Sequence, residues 1–84
     1  MVKPYTEDGD IRIFSHDKPD SDYVWHRDAE DRKIKILEGN GWCLQFDDTL
    51  PYLLKPGQEM TIRKYDYHRL IKGVDDLVVR LDLI

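Results

Sequence analysis

Eighty-four residues are enough for one domain, and a chain of this length buries roughly 60–65% of the surface it exposes when unfolded, so a bound metal or a second subunit would add needed stability. Thirteen basic and seventeen acidic side chains leave a formal net charge of −4, interspersed except for the acidic run Asp17, Asp20 and Asp22, which excludes attraction to nucleic acid or an anionic membrane through bulk charge. The single cysteine, Cys43, excludes an internal disulfide, and the opening Met1-Val2-Lys3-Pro4-Tyr5 lacks the apolar core of a signal peptide, so a soluble cytoplasmic protein is expected.

Residues 1–10 are polar, carry Pro4 and Gly9, and read as a loosely held lead-in to a single domain over residues 11–84. From there the apolar residues alternate instead of recurring at helical spacing. Short strands are expected over 11–14, 23–26, 34–37, 42–46, 50–54, 60–63, 67–71 and 77–84. Gly39-Asn40-Gly41 is a hairpin signal because its residues tolerate positive φ, and Asp47-Asp48, Lys55-Pro56-Gly57 and Gly73 mark further turns. A helix over residues 28–37 is the rival, favoured by Ala29, Glu30, Arg32 and Lys33. Alternation of Ile34 and Ile36 with Lys33 and Lys35 opposes it. About eight short strands with frequent turns predict an all-β, antiparallel barrel or sandwich.

Strand parity brings the chemistry together. His26 and Asp28 project to one face of their strand, and a second strand carrying His68 would complete a site of two imidazoles and one carboxylate. In phase with them, Ile34, Ile36, Trp42, Leu44 and Phe46 face inward, as do Leu70 and the row Leu77, Val79, Leu81 and Leu83. Tyr23, Trp25 and Arg27 then form an outer aromatic strip, which marks a subunit contact and predicts a homodimer. Cys43 has parity opposite to Trp42 and reads as a small core or interface residue, while His16 reads as a surface residue at a strand end.

In this pattern the chain resembles a small single-domain cupin over about residues 20–72. The first cupin motif, G-x5-H-x-H-x3,4-E-x6-G, anchored on Gly39, puts its histidines on His26 and Asp28 and its glutamate on Arg32; the second, G-x5-P-x-G-x2-H-x3-N, anchored on Gly57, puts its histidine on His68. The register fits without insertion. The departures are Asp20 and Tyr65 at glycine positions, Arg63 at the proline, and Lys72 at the asparagine. The resemblance implies a jelly-roll barrel whose interior binds a divalent transition metal (Fe, Mn, Ni or Zn), a small polar ligand, or both. Its catalytic form would be a metal-dependent oxygenase or isomerase acting on a small molecule.

Arg32 separates two versions of such a site. A guanidinium has no lone pair to donate, so an inward Arg32 would pair with Asp28 and compete with a cation; a bulge between Asp28 and Arg32 would instead turn Glu30 or Asp31 inward as the missing acidic ligand. Without metal, Arg32 in a pocket walled by Trp42, Phe46 and tyrosines would grip a ligand carboxylate or phosphate, giving a non-catalytic small-molecule-binding or interaction module.

Overall fold

The computed structural model describes residues 5–83. Among these residues there are eight strands: β1 (Tyr5–Asp8), β2 (Ile11–Phe14), β3 (Arg32–Glu38), β4 (Cys43–Phe46), β5 (Tyr52–Leu53), β6 (Glu59–Ile62), β7 (His68–Ile71) and β8 (Leu77–Leu83). All pairings are antiparallel. They make a five-stranded sheet in the order β1-β2-β8-β3-β6 and a three-stranded sheet in the order β5-β4-β7, an arrangement compatible with a sandwich. No strand pairing among the described residues closes the two sheets into a barrel. No helix among them is long and apolar enough to cross a membrane.

One core joins the sheets. Ile36, Ile62, Leu77 and Val79 from the larger sheet meet Tyr23, Trp42, Leu44 and Leu54, with Phe14, Ile34, Phe46, Tyr52, Met60 and Leu70 packed around them. The inward parity expected for Ile36, Trp42, Leu44, Leu77 and Val79 therefore holds. Along β8, however, burial fades from Leu77 and Val79 through half-buried Leu81 to Leu83, which is 61% exposed. Leu83 keeps the parity of the row but loses its cover: β3 and β8 run seven residues each, whereas β4 and β7 run four. The long sheet thus overhangs the short one at one end.

Three expectations need correction. The stretch read as a lead-in contains β1, whose four residues pair with β2 from Tyr5↔Phe14 to Asp8↔Ile11; backbone pairing at a sheet edge needs no apolar pattern, so the polar sequence hid it. The remaining residues 1–4 and 84 lie outside the described part of the chain. Residues 23–26 do not form a strand: a 3-10 turn at Asp20–Asp22 precedes them, and only His26 makes a bridge, to His68. Freed from strand parity, Tyr23 turns inward to meet Trp42 edge-on at 5.3 Å, and burial pushes its hydroxyl up to about 12. The expected outer strip therefore loses Tyr23. What remains on the outer face is a stack in which Arg27 lies over Tyr67, Tyr67 stacks on Trp25, and Arg69 covers Trp25.

The β3 register shift falls between Ile36 and Glu38, not between Asp28 and Arg32, and β3 is extended where the helix was the rival. At the far end of the core, Gly73 packs so closely on the Asn40 carbonyl and on Trp42 that any side chain would collide with them.

Candidate metal centre

His26 and His68 face each other across a hydrogen-bonded antiparallel bridge. The His26 N–H donates to the His68 carbonyl at 2.9 Å, and the His68 N–H donates to the His26 carbonyl at 3.0 Å. Directly paired residues on one face come close by construction, and the two imidazole centroids lie 4.4 Å apart. Asp28, two residues beyond His26, is fixed by its carbonyl, which accepts from the Tyr65 N–H at 2.7 Å. Tyr65 is the one non-glycine with positive φ among the described residues, at 66°. That left-handed turn is what carries the chain back from Asp28 toward β7.

The ring orientations follow from the carbonyls around them. His26 Nδ1 lies 2.9 Å from the Val24 carbonyl, and His68 Nδ1 lies 2.7 Å from the Asp66 carbonyl. A carbonyl only accepts, so each Nδ1 carries the proton and each Nε2 is directed elsewhere. Both Nε2 atoms meet Asp28: His26 Nε2 is 3.8 Å from Oδ1, and His68 Nε2 is 3.3 Å from Oδ2. Two imidazole lone pairs facing a carboxylate repel unless a positive charge sits between them. A metal ion between them would supply that charge, and the Arg32 guanidinium offsets the carboxylate from its other side.

Burial grades across the cluster, with side-chain exposures of 4% for His68, 13% for Asp28 and 49% for His26. One imidazole is therefore anchored in the core opposite Phe46, whose ring centroid lies 6.0 Å away, and the other opens to solvent. The Asp28 carboxyl is held below the usual carboxylate range, first by its hydrogen bond with His68, then by the charges of Arg32 and His26, against an opposing effect of burial.

Arg32 points inward, as its parity requires, and its Nη1 lies 3.5 Å from Asp28 Oδ1. Its Nε is buried without a hydrogen-bond partner. Neither acid proposed as a fourth ligand joins the cluster: Asp31 accepts from the Lys64 N–H at 2.8 Å, and Glu30 lines a separate pocket. Of the expected pocket walls, Phe46 stands beside His68, but Trp42 does not. Four residues back along β4's line, about 13 Å at strand rise, Trp42 is fully buried and donates its indole N–H to the Asp75 carbonyl.

His16 makes the other histidine–carboxylate contact. Its Nδ1 lies 2.6 Å from Asp76 Oδ1, its Nε2 3.3 Å from Asp17 Oδ1, and its backbone N–H donates to Asp76. The Asp76 hydrogen bond raises its pKa above the ordinary 6.5, helped by Asp17 and Asp75, and the same contact lowers that of Asp76. A raised histidine stabilises the fold below its unfolded value and loses that contribution as pH rises through its folded value, whereas a lowered aspartate loses its contribution as pH falls through its own. The melting-temperature difference between the wild type and His16→Asn should therefore be larger at pH 5.5 than at pH 8.5. An equal difference at both would show that the ion pair contributes nothing.

The His26, Asp28 and His68 donor atoms all lie within 4.8 Å of one another, the grouping of metal-ligating residue types found among the described residues. Comparison with family models, with curated proteins and with solved structures yields no match to this chain.

Proposed function

We propose that the protein binds a divalent transition metal through His26 Nε2, Asp28 and His68 Nε2, as a small cupin-like domain that presents the ion to a small polar ligand. The observation that carries this reading is the pair of Nδ1–carbonyl hydrogen bonds, which turn both Nε2 atoms onto one carboxylate. Backbone carbonyls behind ligand histidines are the usual second layer of a metal site, because they fix the tautomer and the ring orientation. The donor set also fits. Ligands about 2.0–2.2 Å from a tetrahedral zinc stand roughly 3.3–3.5 Å apart; His68 and Asp28 already meet that spacing, while the three donor atoms together lie within 4.8 Å, and the half-exposed His26 would have to turn inward to close the set. Two imidazoles with one carboxylate suit Fe, Mn, Ni or Zn and leave coordination positions open, where the ion would polarise a ligand oxygen.

The cupin resemblance gains support from Tyr65. The motif assigns a glycine there, and the backbone adopts the left-handed conformation that favours one. A second reading is metal-free, favoured by the contact between Arg32 and Asp28: protons and the guanidinium would then satisfy Asp28, and the cluster would order a binding pocket.

Zinc titration of tag-free protein by calorimetry separates the two readings. The metal reading predicts one site per chain, weakened by the positive Arg32 beside it, so Arg32→Gln should tighten zinc binding about tenfold. Absence of a stoichiometric site in both proteins would favour the metal-free reading.

A further inference from the structure

The overhang of the larger sheet leaves part of its inner face uncovered, and that face is not featureless. A cavity of about 410 Å³ lies there, lined by Arg12, Arg32, Glu30, Leu81 and Leu83 with the β1–β2 hairpin around it, within the size range of small-molecule sites. Register explains the lining: Arg32 pairs with Leu83 and Ile34 with Leu81, so the guanidinium and the two leucines project from adjacent strands to the same side. Arg32 belongs to both the pocket and the metal centre. It meets Asp28 through Nη1, while its Nε has no acceptor.

The guanidinium as a whole lines the cavity and keeps 24% of its side chain exposed, and such a planar cation is suited to a carboxylate. The other charges narrow the class further. Arg12 is held by the Gly9 and Ile11 carbonyls and by Glu7, and Asp10 is paired with Arg80, so Arg32, whose ion pair with Asp28 involves Nη1 alone, is the cation that faces a ligand, and Glu30 on the same rim repels a dianion. Leu81 and Leu83 offer an apolar wall whose burial against a ligand is favourable.

We propose that this pocket binds a small monocarboxylate with a short apolar body, its carboxylate on Arg32 and its hydrocarbon against Leu81 and Leu83. The inference deepens the metal-site reading and rests on it for the ligand's place beside the ion, because the arginine that grips the carboxylate also touches the Asp28 ligand. The arrangement makes Arg32 the residue that trades metal affinity for substrate selection.

Isovalerate and inorganic phosphate, titrated separately into ¹⁵N-labelled protein with and without zinc, test this. Isovalerate should shift the amides of Arg32, Leu81 and Leu83 with saturation, and phosphate should not. Arg32→Gln should weaken isovalerate at least tenfold while tightening zinc, opposite signs that a merely structural role for Arg32 would not produce. If that variant fails to fold, Arg32→Lys, which keeps the charge and loses the fork, and Leu83→Ser, at an exposed position, should each weaken isovalerate. Saturating phosphate binding, isovalerate shifts indifferent to these variants, or no isovalerate shift would each overturn the proposal. Zinc binding without isovalerate binding sinks the pocket alone, and isovalerate binding without zinc binding sinks the metal reading alone.

Discussion

Asp28→Ala is expected to destabilise the domain by about 3 kcal/mol at neutral pH, because removing one partner of a largely buried charge cluster strands the others. The stranded groups are specific. Arg32 already has an unpartnered Nε and would lose its contact at Nη1, and buried His68 would lose the acceptor facing its Nε2. The sign with pH follows from the lowered pKa of Asp28, whose first cause is the His68 hydrogen bond. A group depressed in the folded state contributes above its ordinary carboxylate value and loses that contribution as pH falls through the depressed one. Urea unfolding of the wild type and of Asp28→Ala should therefore differ most near pH 7 and converge in strong acid. A constant gap down to pH 2 would mean that the aspartate acts by shape and not by charge.

The second large effect separates ligation from stability. His26 is half exposed and His68 is almost fully buried, so on the proposed metal reading truncating them costs different amounts of fold but the same amount of metal. His26→Ala should change stability by no more than about 0.5 kcal/mol yet weaken zinc at least 100-fold, since two protein donors do not make a zinc site. His68→Ala should weaken zinc equally and also destabilise the fold by about 2 kcal/mol, through the space it leaves beside Phe46. Calorimetric zinc titration beside thermal unfolding reads both quantities. Unchanged zinc binding in His26→Ala would exclude that residue from the site.

The parts of this arrangement that sequence reveals are those governed by period two. Arg32 reaches Asp28 because β3 starts on it with inward parity, whereas His26 and Asp28 lie in a segment that makes a single bridge, and they meet through that bridge to His68 and the Asp28 carbonyl's hydrogen bond with Tyr65. The core rows on β3, β4 and β8 follow the same rule. What parity does not carry is coverage and edge pairing. Leu83 faces inward over nothing, because strand lengths on the opposite sheet decide where burial ends. β1 is held by main-chain pairing that leaves no mark on its side chains, and Tyr23 escapes parity because its segment never joins a sheet. The carbonyls of Val24 and Asp66 are equally invisible, since every residue has one and only the fold aims these two at imidazoles. Arg32 lines a pocket as its parity suggests, but the walls are Leu81 and Leu83 and not Trp42 and Phe46, because one sheet is longer than the other.

Long-range ¹H–¹⁵N correlation spectra of the imidazoles, recorded before and after one equivalent of zinc, test the convergence of His26 and His68 most directly. The proposed metal site predicts that Nδ1 keeps its proton in both rings and that both Nε2 resonances move to metal-bound positions together, while His16 is unaffected. Zinc bound through Nδ1, through His16, or through only one of the paired rings would contradict it.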